Sequence, residues 1–263
     1  MQLYFKKYGK GIPVIILHGL YGNSDNWVSV SKVLAEHYEV FIPDARNHGK
    51  SPHSEIHSFE AMKDDLLEFM KDNQLQKAII IGHSMGGKTA MLFSLLHPEM
   101  VEKLIVVDIA PKSYKSLLEY NSDVIEHMNI LNAFASTDIS LMHSRSEIDK
   151  AFSQFVKNDH LRQFLLKNAC RNENGGFFWA INVKALQKSL PQIMDWPSLK
   201  KMDIEKNQIP ALFVNGEKSN YVSESDIPEI KKLFPQADFV SIFDAGHWVH
   251  AEQQELFLKA INL

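Results

Sequence analysis

The sequence predicts an α/β protein: a mostly parallel central sheet flanked by helices, interrupted by a mainly helical insertion. Three observations predict it. Short all-apolar runs at 14–17, 78–81 and 104–107 have the form of strands buried on both faces of a sheet. Stretches with helical apolar spacing separate them, and that alternation marks βαβ units. From about Pro111 to Asn207 the alternation stops, and it resumes at Ala211.

The elements follow in order. Residues 1–7 alternate as an edge strand and end at a Tyr8-Gly9-Lys10-Gly11 turn. The run 14–17 ends at His18-Gly19. Ser24-Asp25-Asn26 can cap a helix carrying Trp27, Val30, Val33 and Leu34, and 38–42 is the next strand, stopped by Pro43-Asp44. The loop 45–52 is polar and turn-rich. Ser58 starts a helix with Met62, Leu66, Phe69 and Met70 on one face, which Asn73 ends. The strand 77–81 then enters a glycine-rich turn, and a helix runs through Met91, Phe93, Leu95 and Leu96. After the strand 104–107 and the insertion come a strand at 211–214, a helix through Ile230 and Leu233, a strand at 239–243 and a last helix from Ala251. The expected organisation is therefore a core of 1–110 and 208–263 with a helical cap of 111–207. The insertion is rich in aromatic and aliphatic residues, among them Tyr114, Leu117, Leu118, Phe134, Phe155, Phe178, Trp179 and Trp196. Most must hold the cap together, while Tyr114, Phe134 and Trp179, with Trp248 outside it, are candidates for an apolar substrate pocket.

Composition narrows the function. With 263 residues, 45% of them hydrophobic, the chain can bury a full core, and a net charge of −4 with both signs interspersed offers no basic face for nucleic acid. Cys170 is the single cysteine, so no internal disulfide and no cysteine-rich metal knuckle can form. The twelve histidines are scattered, and His250 lacks a helical His-Glu metal pattern. No apolar run has membrane-spanning length, and residues 1–7 lack the apolar core of a signal peptide. The expectation is a cytoplasmic enzyme without metal or cofactor, a monomer or weak homodimer, acting on a small molecule.

Two chemistries compete for the turn after 77–81. Gly82-His83-Ser84-Met85-Gly86 fits G-x-S-x-G, a nucleophile elbow that lifts a serine hydroxyl at the end of a strand. Gly82 to Thr89 also fits G-x-x-x-x-G-K-[ST], a phosphate-binding loop, with Asp108 after an apolar strand as its metal-binding acid. Distant residues separate the two. Ligands of an open parallel sheet bind beyond the carboxyl ends of its strands, where His18-Gly19, Asp44, Ser84, Asp108, the 216–220 loop and His247 are expected to meet. A serine needs an imidazole to take its proton, and the imidazole needs an acid to fix its tautomer. His247 is the expected base. The amides of Leu20 and Met85 are the expected oxyanion donors, and Lys88 and Thr89 become ordinary first-helix residues.

These motifs together resemble the α/β-hydrolase superfamily: His18-Gly19, Asp44-x-Arg46-x-His48-Gly49-x-Ser51, Gly82-x-Ser84-x-Gly86 and Gly246-His247. Arg46-Asn47-His48-Gly49, Asp108-Ile109-Ala110-Pro111, Ser219-x-Tyr221-Val222 and Gly246-His247-Trp248 resemble more narrowly the YbfF-type bacterial esterases. The resemblance implies hydrolysis of carboxylic esters or acyl-CoA thioesters. An acyltransferase, cofactor-free haloperoxidase or C–C bond hydrolase on the same residues is the alternative. In one place the sequence departs from the superfamily. Where many members carry Gly-x-x-Asp it has Gly216-Glu217-Lys218-Ser219, so the acid is expected at Asp108, with Glu217 and Asp244 as alternatives and Ser219 as a hydrogen-bonding relay to His247. His18, His83, Arg46 and His48 are expected to brace loops, the last two against Asp44.

Overall fold

The computed structural model describes residues 1–114, 122–199 and 208–263, the side chains of 122–126 excepted. Leu117 and Leu118 lie outside the described residues. The strands are β1 (Phe5–Tyr8), β2 (Ile12–Leu17), β3 (Tyr38–Pro43), β4 (Ala78–His83), β5 (Val101–Val107), β6 (Ala169–Arg171), β7 (Phe177–Trp179), β8 (Ala211–Gly216) and β9 (Ala237–Ile242). The helices are α1 (Val28–Leu34), α2 (Phe59–Asp72), α3 (Met85–Leu96), α4 (Ser122–Ser136), α5 (Arg145–Phe152), α6 (Asp159–Leu165), α7 (Val183–Ile193), α8 (Ile227–Leu233), α9 (Val249–Glu252) and α10 (Gln254–Ile261).

Seven strands form one sheet in the order β1-β3-β2-β4-β5-β8-β9, parallel except for the antiparallel edge strand β1. The apolar runs have no polar alternation because each face of the sheet has its own core. Ile15, Ile80, Leu104 and Val106 face one cluster with residues of α2 and α3. Val14, Ile16, Ile79, Ile81, Ile105 and Val107 face the other, against Trp27, Val249, Phe257 and Ile261. Within the mainly helical insertion the described residues also hold a short antiparallel hairpin, β6 paired with β7 about the turn at 172–176. Three-residue strands carry too little alternation to be read from sequence. Among the described residues no helix is long and apolar enough to cross a membrane.

The chain runs from β2 outward to β3, then crosses back over β2 to β4 and β5. The carboxyl ends of β2 and β4 are therefore the switch point of the sheet, where a ligand crevice forms. Polar side chains pin the loops there. The Arg46 guanidinium grips Asp65 of α2 with two bonds of 2.6 and 2.7 Å, instead of the expected Asp44. Asp44 accepts from the Ser24 and Lys50 amides. His18 donates through Nδ1 to the Gly19 carbonyl and accepts the Ala45 amide at Nε2. His48 donates to the Arg46 carbonyl and accepts the Tyr21 amide. Each ring thus serves as donor and acceptor at once, which only the neutral imidazole can do.

Two predictions follow from this packing. Trp27 is fully buried and stacks on His250 at 3.8 Å between ring centres, so Trp27→Ala should cost about 3–5 kcal/mol, read as a lower urea midpoint. Burial lowers the pKa of His18, His48 and His83 below the ordinary 6.5 and takes those of His57 and His250 to about 3. Between 6.5 and those lowered values the unfolded chain binds more protons than the native one, so stability declines as the pH falls through that window. Urea unfolding should show a loss of about 1 kcal/mol or more between pH 6.5 and 5, and a flat profile there would contradict neutral buried rings.

Candidate active site

Between β4 and α3 stands a single residue, Ser84, with φ 51° and ψ −116°. That is a strained conformation for a residue with a side chain, and it thrusts the side chain out of the turn. Neighbouring glycines make the turn possible. A Cβ on Gly86 would lie 2.3 Å from the Leu17 carbonyl oxygen of β2, and one on Gly19 would lie 2.7 Å from His83 Nδ1 and 3.2 Å from Ser84 Cβ. The loop after β2 therefore lies directly against the serine. Leu20 sits in its turn, closed by a 3.0 Å bond from the Gly22 amide to the Gly19 carbonyl. The Met85 N–H is the first of α3, where amides have no partner within the helix.

Asp108 follows β5 in the left-handed region, φ 52°, which Asp tolerates better than most residues. Its carboxylate is buried, takes the Gly216 amide at 3.1 Å on Oδ1, and meets His247 Nδ1 at 2.7 Å on Oδ2. An ionised carboxylate only accepts, so Nδ1 carries the proton and Nε2 is left with a lone pair. Ser219 donates its hydroxyl to the same Oδ2, so it reaches the carboxylate partner of His247 rather than the imidazole itself. His83 donates from Nε2 to the His247 carbonyl at 2.8 Å, with the two rings 4.7 Å apart. Tyr221 stacks on the outer face of His247 at 4.0 Å.

The alternative acids are engaged elsewhere. Glu217 accepts the Asp244 amide at 3.1 Å, and Asp244 pairs with Lys218 at the surface. The phosphate-loop alternative has no loop to cradle a phosphate, because one residue joins β4 to α3, and its acid is held by His247. Thr89 bonds back to the Met85 carbonyl at 3.0 Å. Lys88, expected to be ordinary, is 2% exposed and reaches the carbonyl of Asp195 at 2.7 Å.

Two adjoining cavities open at Ser84. The larger, about 260 Å³, is lined by Ser84, His247, Ser219, Tyr221 and Trp248 from the core and by Ile130, Asn158, Leu161 and Phe164 from the segment between β5 and β8. The smaller, about 20 Å³, is lined by Ser84, Met85, Lys88, Ile109, Tyr114, Ile193 and Met194. Leu20, His127 and Tyr221 border both. Of the four expected pocket residues, Tyr114 and Trp248 are here. Phe134 and Trp179 are not: they pack edge to face at 4.7 Å, with Phe152 beside both, and the Trp179 indole donates to the Thr137 carbonyl. In their place stand Ile130, Phe164 and His127, whose pKa burial lowers to about 4. Nothing in the local pattern of α4 or α6 distinguished them.

Comparisons with known proteins bear on the fold and the family. A family model described as alpha/beta hydrolase fold matches residues 12–254. The sn-1-specific diacylglycerol lipase ABHD11 of Xenopus laevis is 36% identical over 253 residues, 95% of this chain and 78% of that protein. Esterase YbfF of Escherichia coli is 34% identical over 250 residues, 95% of this chain and 91% of its own, as the motif resemblance led us to expect. A solved structure described as a marine microorganism esterase superposes with a TM-score of 0.94 at 44% identity, covering 99% of this chain and 98% of that one. The chain therefore belongs to the alpha/beta hydrolase fold family, as a hydrolase enzyme whose relatives include esterases and lipases.

Proposed function

We propose that the protein hydrolyses carboxylic esters through an acyl-enzyme on Ser84, with His247 as the base and acid, Asp108 as its carboxylate, and 111–207 as a cap over the cavity. The observation that carries this reading is the 2.7 Å contact of buried Asp108 with Nδ1 of His247, which lines the same cavity as Ser84. Nε2 of His247 takes the Ser84 proton as the oxygen attacks the ester carbonyl. The oxyanion so formed receives the Leu20 and Met85 amides, and a single such donor is worth about 2.7–4 kcal/mol of barrier. The imidazolium gives its proton to the departing alkoxide, and the alcohol leaves. Water, deprotonated by the same nitrogen, then attacks the acyl-enzyme and frees Ser84 and the acid. Ser219 and the Gly216 amide hold the Asp108 carboxylate in the orientation that fixes the His247 tautomer. A thioester would follow the same steps with a thiolate leaving, so acyl-CoAs belong in the substrate panel. The lone Cys170 suits a reducing, cytoplasmic setting.

A fluorophosphonate probe should label the wild-type protein and leave Ser84→Ala unlabelled; mass-spectrometric attachment at another residue would overturn the nucleophile. Asp108→Asn should lower kcat on p-nitrophenyl esters by about 10³–10⁴-fold, because it removes the acceptor that sets the tautomer. Glu217→Gln should leave kcat close to the wild-type value, and the reverse ranking would return the acid to the 216–220 loop.

A further inference from the structure

Lys88 is a buried cation that the ester reaction leaves unused. Its amide bonds to the Ser84 carbonyl at 3.0 Å, which places it one helical turn beyond the serine. Side chains on a helix lean toward its N-terminus, so the lysine stem runs back along the wall of the smaller cavity, which it lines together with Ser84. Its ammonium donates to the Asp195 carbonyl at 2.7 Å and approaches that of Ile193 at 3.5 Å. Ile193 is the last residue of α7 and Asp195 lies just beyond its cap, Met194, so the ammonium sits at the carboxyl end of the helix, where a cation is favoured. The carbonyl between them, that of Met194, takes the Tyr114 amide at 2.7 Å. The Tyr114 ring lies 4.6 Å from the ammonium, and Phe59 lies 5.5 Å away. Three successive carbonyls, at and just beyond the end of α7, are thus drawn onto α3 and the chain after β5. Ile193 and Met194, which they carry, form the far wall of the smaller cavity.

The two cavities have different roles on the proposed reaction. His247 must reach the leaving oxygen, and it lines only the larger cavity. The alcohol therefore departs on that side, and the acyl group occupies the smaller one, whose volume of about 20 Å³ holds little more than one water. We propose that Lys88 sets acyl length: by tying the end of α7 to the helix that carries Ser84, it closes the acyl side so that only the shortest acyl groups fit. The substrates are then short-chain esters of a bulkier alcohol. This inference rests on the ester-hydrolase reading. Tyr114 supports the same wall from the other side, its hydroxyl accepting the Ala110 amide and donating to the Tyr221 carbonyl. Burial brings the Lys88 pKa down to about 7, opposed by Asp195 and aided by Lys112, in keeping with a cation enclosed by protein.

The test compares p-nitrophenyl acetate, butyrate and octanoate on wild type, Lys88→Met and Lys88→Ala, each normalised to the fraction of Ser84 that a fluorophosphonate titrates. The wild type should lose at least tenfold in kcat/KM from acetate to octanoate. Both variants should flatten that ratio by tenfold or more, chiefly through a lower KM for octanoate. A wild type indifferent to chain length, or variants that keep the wild-type ratio, would overturn the role of Lys88. Should neither variant fold, as judged by circular dichroism, Ile193→Ala moves the same wall without touching the charge; an unchanged ratio there also overturns it. Failure of the wild type to be labelled at Ser84 would strike the ester-hydrolase reading itself, and a flat profile with intact labelling strikes only this inference.

Discussion

The structure depends on the one-residue turn at Ser84. A left-handed serine between a buried strand and a buried helix is costly by itself, of the order of 1–3 kcal/mol, and persists only where the surroundings determine it. They do so from both sides. β4 lies in the middle of the sheet between β2 and β5, and every residue of α3 from Met85 to Leu95 is buried. Because Gly86 rides over the Leu17 carbonyl, the position of α3 also fixes the end of β2, and with it the loop that carries Leu20. The serine and the amides proposed to receive its oxyanion are therefore set by a single packing contact.

That packing also explains Lys88. A helix buried all round has no solvent side to which a lysine could snorkel, so its charge must find acceptors inside. The carboxyl end of α7 and the residues just beyond it supply them, through the carbonyls of Ile193 and Asp195. Reading Lys88 as an ordinary first-helix residue overlooked that α3 has almost no polar positions: besides Lys88, only Thr89 and Ser94 carry polar side chains among 85–96, and both bond back to carbonyls of their own helix. The clue was in the composition of the helix rather than in the motif.

The sheet and the residues at its strand ends were legible because they are local signals. An apolar run fixes a strand, and the polar residue that ends it is carried to the common edge by the parallel topology alone. The choice of acid was less legible because β5 and β8 are neighbours, Val107 opposite Val214, so that Asp108 and the 216–220 loop arrive at the same place. Side-chain direction separates them, and that comes from the backbone at Asp108, which a pattern of letters does not encode. The Arg46 partner was misread for a related reason: Asp65 is remote in sequence and meets Arg46 only when α2 packs on the sheet. On α4, His127, Ile130 and Phe134 share one helical face, yet the first two reach the cavity while Phe134 meets Trp179. Periodicity gives the face of a helix; how far along that face the cavity extends is a tertiary fact.

Electrostatics at the site follows from the same burial. His83 touches the His247 ring from beneath, and His250 lies 5.0 Å from His83. A proton on either would oppose the imidazolium that the proposed reaction places on His247, and burial keeps both rings neutral at pH 7. His247 differs: its side chain is 18% exposed, and its Nδ1 meets a carboxylate that is fully buried. Among the described residues Asp108 is thus the charged group in hydrogen-bond contact with it, and its attraction acts over 2.7 Å in surroundings that screen it little. Neutral histidines brace the loops, while His247 keeps a carboxylate counter-ion, so a transient positive charge is favoured at the nitrogen pair where the proposed chemistry needs it.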